Sequence, residues 1–173
     1  MLCTGKFTKK VESLMDKEKE YLAKIQLGIE TDTLDPTGKV VKKASIPNLS
    51  QDKINTALKI FIGNIKQKPP MFSAIKVNGQ PLYRYARKGI NIPRKKRDIS
   101  IHDIELIDFS KDIITIKVTC GRGTYIRSLA KDIACKLNTV GHLAVLKRTR
   151  IGEYDKKNCI EVEDFPEWIS ART

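Results

Sequence analysis

The sequence lacks the features that mark membrane-spanning, disulfide-bonded and metal-binding proteins. No apolar run approaches the length of a membrane span, and the N-terminus has no apolar stretch typical of a signal peptide. The four cysteines are scattered without a CxxC pair, and Cys120 and Cys135, which lie on apolar faces, are predicted to be buried thiols. The two histidines have no partner at metal-ligand spacing. These absences predict a protein of a reducing, cytoplasmic compartment, with no membrane association, no disulfides and no metal site.

Acidic residues are too few to balance the basic ones, with 20 Asp and Glu against 33 Lys and Arg, which gives a formal net charge of +13. This excess goes beyond what solubility requires and favours a polyanionic partner. A generally lysine-rich surface would give the same balance, so charge alone does not decide. At 173 residues and 40% hydrophobic content the chain can bury one core, which predicts a single domain over residues 1–173.

Basic residues cluster in one short segment, with Tyr83 and Tyr85 at its start. Basic side chains beside aromatic rings favour RNA over DNA or a membrane surface, because unpaired bases can stack on the rings. The candidate RNA-binding residues of this basic segment are Arg84, Arg87, Lys88, Arg94, Lys95, Lys96 and Arg97.

Apolar periodicity predicts both helices and strands. Two-residue alternation predicts strands near residues 21–27, 99–109, 113–120 and 143–151, and a short strand over 72–77. Three- and four-residue spacing predicts a charged helix over 10–19, a helix after the N-cap residue Ser50, a helical turn over 83–88 and a long helix over 126–137. Asn78-Gly79 predicts a hairpin turn.

The most informative stretch is Gly123-Thr124-Tyr125-Ile126-Arg127, which lies between the predicted strand 113–120 and the long helix. The junction displays the aromatic face of Tyr125 beside the fixed positive charge of Arg127. Such a pair suits an unstacked base together with a phosphate or carboxylate. A core tyrosine and a solvated arginine would show the same spacing.

Five collinear blocks resemble the catalytic domain of the bacterial tRNA pseudouridine synthase B family. Together they cover nearly the whole chain. The blocks are Gly5-Lys6-Phe7-Thr8-Lys9 with Lys19-Glu20-Tyr21, Leu27-Gly28-Ile29-Glu30-Thr31-Asp32-Thr33 with Asp35 and Gly38, Lys68 to Lys76 with Gly79, Tyr83, Ala86, Arg87 and Gly89, the Gly-Thr-Tyr-Ile-Arg block, and Gly141-His142-Leu143 with Leu146-Lys147-Arg148-Thr149.

The resemblance implies an α+β fold with a mixed, mostly antiparallel sheet flanked by helices. It also implies isomerisation of uridine to pseudouridine at the position called 55 in the T loop of tRNA, without a cofactor, on a nucleotide flipped out of its stack. By the same resemblance Tyr21 stacks on the base, Tyr125 and Leu146 line it, and Arg127 pairs with the catalytic aspartate. Lys9 and the basic segment would lie toward the tRNA backbone.

One departure from the family is expected to matter for catalysis. The family's nucleophile is an aspartate in a Gly-x-Leu-Asp-Pro-x-x-x-Gly loop that precedes the first block, and this sequence contains no such loop. Asp35 lies in a Leu-Asp-Pro sequence of another block, and an ordinary Asp-Pro-Thr-Gly turn explains it. We therefore expect the nucleophilic Asp to be absent, no carboxylate of this chain to lie where Arg127 and Tyr21 meet the base, and this chain alone to be inactive. The family's additional C-terminal RNA-binding domain is also expected to be absent.

Two hypotheses follow from that departure. The chain is either the major part of a pseudouridine synthase whose N-terminal segment is missing, or a catalytically inactive RNA-binding module derived from that family. An unrelated basic scaffold protein is a more distant alternative. Because the missing strands would pair within the sheet, we expect an exposed sheet edge or apolar groove, with binding of the missing segment or self-association as a consequence.

Overall fold

The computed structural model describes residues 3–171, and its main element is a six-stranded antiparallel sheet with helices packed against it. The six strands of the sheet lie in the order β10-β9-β1-β8-β7-β4, and each of these pairings is antiparallel. The strands are β1 (Lys19–Leu27), β4 (Gly63–Gln67), β7 (Arg97–Phe109), β8 (Ile113–Cys120), β9 (Gly141–Ile151) and β10 (Tyr154–Asp155). The predicted α+β fold with a mostly antiparallel sheet is confirmed.

Two small hairpins and five helices complete the described part of the chain. The hairpins are β2 (Ile29–Thr31) with β3 (Val40–Lys43), and β5 (Lys76–Val77) with β6 (Gln80–Pro81). The helices are α1 (Val11–Asp16), α2 (Gln51–Lys59), α3 (Leu82–Arg87), α4 (Ile126–Lys136) and α5 (Phe165–Ser170), and 3-10 turns cover Gly5–Lys10 and Lys156–Asn158. None of the helices within residues 3–171 is long and apolar enough to cross a membrane.

The core lies between the central strands and the helices α2 and α4. Strand β1 alternates as predicted, with Ala23, Ile25 and Leu27 facing the core, and β8 supplies Ile114, Ile116 and Val118. Helix α2 begins at the predicted N-cap, because the Ser50 side chain accepts a hydrogen bond from the Lys53 amide. The apolar stripe of α4 is buried against this sheet.

Two predicted details are wrong. The short strand over 72–77 is limited to Lys76–Val77, because Ser73 bonds instead to Met71 and Tyr83 in an irregular turn. Cys135, which has the spacing of a buried position on α4, is exposed, whereas Cys120 is buried as expected. The chain segment that leads into β5 is consequently free of sheet pairing and lies against the start of α4.

Candidate functional site

Arg127 is anchored by oxygens from two distant parts of the chain. Its Nη1 donates to the Thr33 carbonyl at 3.1 Å and to Asp35 Oδ2 at 2.8 Å, and its Nη2 donates to the Phe72 carbonyl at 2.6 Å. It lies in the first turn of α4, which has no acidic residue to complement the helix dipole. A cation at that end of a helix is unfavourable unless anionic or carbonyl partners compensate. The Asp35 carboxylate and the carbonyls of Thr33 and Phe72 supply that compensation.

The carboxylate of Asp35 is almost fully engaged by its own turn. Its Oδ1 accepts hydrogen bonds from Thr33 Oγ1 at 2.7 Å, from the Thr37 amide at 3.1 Å and from the Thr37 hydroxyl, while Oδ2 faces Arg127. Burial pulls the pKa of Asp35 upward, but the hydrogen bonds from Thr37 and Thr33 and the charge of Arg127 outweigh it, so this pKa lies below its ordinary value. Asp35 is thus a stably ionised partner of Arg127.

The turn that carries Asp35 has a strained backbone. Leu34 adopts φ +63°, which is rare for a residue with a side chain, and its carbonyl is held by the Leu143 amide of β9 at 3.1 Å. A Cβ atom at Gly38 would lie 2.3 Å from both Asp32 Oδ1 and Thr33 Oγ1, so only glycine fits there. The strain is sustained because the turn is fixed to the sheet at β9.

A carboxylate of this chain, that of Asp35, lies beside Arg127, while the absence of a carboxylate where Arg127 and Tyr21 would meet the base stays a prediction. The β2–β3 hairpin returns the turn to the start of α4, and Asp35 forms an ion pair with Arg127 in which the two side chains are only 23% and 25% exposed. Arg127 is therefore not a solvated surface arginine.

Tyr125 precedes Arg127 closely and is the N-cap residue of α4. Its backbone amide donates to Gln67 Oε1 at 2.9 Å, and its carbonyl accepts from Gln67 Nε2 at 3.1 Å. Gln67 was not among the predicted site residues, because a single glutamine at the end of an irregular stretch gives no periodic signal. The ring of Tyr125 is half-buried, so its role in lining a base remains a prediction.

Tyr21 and Leu146 lie on the neighbouring strands β1 and β9. Tyr21 is opposite Arg148, and Leu146 is opposite Ala23, so these side chains share one face of the sheet. Leu146 is 45% exposed, and core packing therefore does not account for it. Burial raises the pKa of the half-buried Tyr21 phenol, and the nearby Arg148 guanidinium offsets only part of that rise. Tyr21 thus presents a neutral aromatic ring beside a cation.

The basic segment has an exposed and a half-buried part. The exposed residues are Arg84, Arg87, Lys88, Lys95, Lys96 and Arg97, and Lys9 is exposed on the N-terminal 3-10 turn. Arg94 differs, since its Nη1 donates to the Pro69 carbonyl at 3.1 Å and its Nε is buried without a hydrogen-bond partner among the described residues. The prediction that all seven face RNA therefore needs one refinement, because Arg94 also fastens the segment to the fold.

Within residues 3–171 there is no cluster of His, Cys, Asp and Glu that could hold a metal ion. His142 is buried, and its Nδ1 lies 2.8 Å from the Ile29 carbonyl, which is a structural role. The candidate site consists of Arg127, which three oxygen acceptors hold in place, of the aromatic rings of Tyr21 and Tyr125, and of the exposed basic residues.

The fold that carries these residues is similar to the folds of solved structures. A solved structure titled "Crystal Structure of a Cbf5-Nop10-Gar1 Complex" superposes with a TM-score of 0.69 and 26% identity over 97% of this chain and 42% of that chain. A second, "Structure of H/ACA RNP bound to a substrate RNA containing 2'-deoxyuridine", gives a TM-score of 0.64 at 22% identity, over 97% of this chain and 40% of that chain, and supports the fold alone.

Sequence comparison makes the assignment more specific. Residues 1–126 match the model of the TruB family pseudouridylate synthase N-terminal domain, and residues 127–173 match that of the tRNA pseudouridylate synthase B C-terminal domain. The tRNA pseudouridine synthases B of Francisella philomiragia and Francisella tularensis are 46% and 45% identical over 165 residues, which is 95% of this chain. The chain belongs to the TruB pseudouridylate synthase family. It spans 55% of the length of those relatives.

The boundary between the two matched regions falls inside α4, between Ile126 and Arg127. Strand β9, from the second region, pairs with β1 from the first along its length. The two matched regions therefore share one sheet and one core over the described residues.

Proposed function

We propose that this chain is the substrate-binding part of a tRNA pseudouridine synthase that isomerises the uridine at position 55 of the T loop. The observation that carries the proposal is the anchored Arg127 guanidinium beside Tyr125, in a chain of this family. The flipped uracil would stack on Tyr21 and contact Tyr125 and Leu146, while the exposed basic segment and Lys9 would bind phosphates.

The reaction is an isomerisation that needs no oxidant and no cofactor. The bond between C1′ of the ribose and N1 of the uracil breaks, the base turns, and a bond from C1′ to C5 forms. The proton on C5 is released while N1 gains one, so atoms and electrons balance. A carboxylate that attacks the sugar or base assists this step.

We propose further that this carboxylate comes from outside the 173 residues. Asp35 is a poor candidate because its oxygens already accept hydrogen bonds from Thr33, from Thr37 and from Arg127, and its lowered pKa reflects a stabilised, weakly nucleophilic anion. The role of Asp35 would be to hold Arg127 until the catalytic carboxylate approaches.

A second candidate function is a catalytically inactive tRNA-binding module. The observation that favours it is the same ion pair, since Asp35 already satisfies Arg127 from within the chain. Both candidates require RNA binding, and they differ in whether an added carboxylate restores chemistry.

Base capture can be tested with the chain as it is. We would bind T-arm stem-loops that carry 5-fluorouridine either at the target position or within the stem, and record the ¹⁹F resonance. Capture of a flipped base predicts a protein-dependent shift of the target resonance that exceeds the shift of the stem resonance. Equal shifts at both positions would contradict the proposed function.

A further inference from the structure

Gln67 ends strand β4 and is only 2% exposed. A buried amide with unsatisfied hydrogen bonds is costly, so its partners are fixed rather than incidental. Both ends of this amide bond to Tyr125. Its Oε1 accepts from the Tyr125 backbone N–H at 2.9 Å, and its Nε2 donates to the Tyr125 carbonyl at 3.1 Å. Gln67 therefore fixes the backbone of Tyr125 as a neighbouring β-strand would.

The conformation of Tyr125 makes this support necessary. Tyr125 is the N-cap of α4, with φ −96° and ψ 105°, and no side chain caps the helix. Serine, threonine, asparagine or aspartate normally stabilises this position through its side-chain oxygen. Here the position carries an aromatic ring instead, and Gln67 holds the extended backbone from outside the helix. The Tyr125 side chain therefore does not cap the helix.

The residues that follow Gln67 are fastened to the same helix start. The Ser128 hydroxyl donates to the Lys68 carbonyl at 2.9 Å, and Arg127 donates to the Phe72 carbonyl at 2.6 Å. Gln67 is the most buried of the residues that bond this segment to the start of α4, so a change there should affect the positions of both Tyr125 and Arg127.

We propose that Gln67 is a positioning residue that, through the backbone of Tyr125, holds the tyrosine ring against the flipped base. This inference rests on the proposed function, since only a base-binding site gives the Tyr125 ring that task. Gln67 itself would not touch the base.

The test compares three variants in the ¹⁹F assay with the T-arm stem-loop. Gln67→Met keeps the length and volume of the side chain but removes both hydrogen bonds. Gln67→Glu keeps an acceptor for the Tyr125 amide but places a carboxylate oxygen against the Tyr125 carbonyl. Gln26→Met is the matched control, because Gln26 uses its amide on Leu27 and Asp112, at the other end of β1 from Tyr21.

We expect Gln67→Met to lose most of the target-specific ¹⁹F shift. Its RNA affinity should change by less than about twofold, because phosphate contacts supply most of the binding. For Gln67→Glu, the shift should be small at pH 8 and recover as the pH falls, because a buried carboxyl has a raised pKa and its neutral form can donate to the Tyr125 carbonyl. The unmodified chain, measured over the same pH range, corrects for ionisation of the fluorinated base, and a merely structural role would not give the additional acid-dependent recovery.

The outcomes separate the two proposals. If the unmodified chain shows no target-specific shift, the proposed function fails and this inference fails with it. If the unmodified chain shows the shift and Gln67→Met keeps it, only the role of Gln67 is wrong. If Gln67→Met does not fold, Gln67→Glu decides, and a shift that does not change between pH 8 and pH 5 would overturn the inference.

Discussion

The ion pair between Asp35 and Arg127 predicts a pH-dependent contribution to stability. Burial alone would raise the pKa of Asp35, but hydrogen bonds and the Arg127 charge bring its folded-state value below the unfolded value of 3.8. The contribution is therefore complete above the unfolded-state pKa and is lost as the pH falls through the lower folded-state pKa. Asp35→Asn should lower the free energy of unfolding by about 1–2 kcal/mol at pH 7.

Urea unfolding of the wild type and Asp35→Asn over a pH series checks this prediction. The difference between the two proteins should shrink below about pH 4. Asp108→Asn, on the exposed side of β7, is a matched control that should show little effect. A difference for Asp35→Asn that stays constant down to pH 3 would contradict the proposed role of the ion pair.

Arg127 should matter more for folding than an arginine that lies near it in sequence. Arg127→Ala leaves the Asp35 carboxylate and the carbonyls of Thr33 and Phe72 without a donor, which should cost about 1–3 kcal/mol. Arg122→Ala is the control, because Arg122 forms an exposed ion pair with Asp16 and should change stability little. Equal destabilisation in urea unfolding would show that Arg127 is not anchored as described.

At the residue scale, the sequence suggested a phosphate or carboxylate beside Arg127 but did not predict that Asp35 of this chain would be its partner. A half-buried arginine needs an anion, and this chemistry follows from residue type. That the anion is Asp35 depends on the β2–β3 hairpin, which brings together residues far apart in sequence. Gln67 could not be predicted, because its importance lies entirely in its long-range bonds to Tyr125.

Among the elements, those with strong periodicity were predicted and the weakly patterned ones were not. Strands β1, β7 and β8 and helix α4 each bury one face. The sequence shows the matching apolar spacing, which is two residues in the strands and three or four residues in the helix. Strand β3 is exposed throughout, and strand β10 is only two residues long, so neither has an apolar pattern to detect. The Asn78-Gly79 hairpin was predictable because both residues adopt the positive φ that this pair favours.

The basic segment should bind RNA through its exposed lysines and support the fold through Arg94. Charge reversal of Lys95 and Lys96 should weaken binding of a T-arm stem-loop and lower the salt slope of log Kd by about 1 for each phosphate that is no longer neutralised. Reversal of Lys42 and Lys43, an equally exposed lysine pair on β3, is the control. Fluorescence anisotropy across a salt series measures both effects.

Arg94→Glu should behave differently from the lysine variants. It removes the hydrogen bond to the Pro69 carbonyl and buries a carboxylate, so it should lower the thermal unfolding midpoint as well as RNA affinity. If RNA binding were independent of salt, or unchanged after reversal of Lys95 and Lys96, the basic segment would not be the RNA surface.

Strand β9 has an exposed edge, and pairing of a missing N-terminal strand within the sheet stays a prediction. Within residues 3–171, β10 pairs only with Ile151 and Arg150, and no strand pairs with residues 144–149 on that side. Val145 and Leu146 are exposed there, next to Lys147 and Arg148. Unpaired strand edges promote association, whereas edge lysines and arginines oppose it.

We expect self-association through this edge to be weak at low salt and stronger at high salt, where the like charges are screened. Sedimentation velocity at increasing salt measures the effect. Val145→Lys, which adds charge to the same edge, should suppress it. A strictly monomeric chain at high concentration in all salt conditions would contradict the expectation.

At the scale of the whole molecule, the chain combines a packed core with a site that we propose is chemically incomplete. The sheet, the anchored Arg127 and the basic surface are all in place, and family membership extends over both matched regions. We propose that these residues bind and position the uridine, while a carboxylate from outside the 173 residues starts the reaction.

The direct measurement is tritium release from 5-tritiated uridine in a T-arm substrate, with and without a family-type N-terminal segment supplied by fusion or in trans. We expect no release by the chain alone and release when the segment is present. That release should be lost in Tyr21→Ala and strongly reduced in Arg127→Ala. Release by the chain alone that Asp35→Asn abolishes would contradict this mechanism and identify Asp35 as the nucleophile.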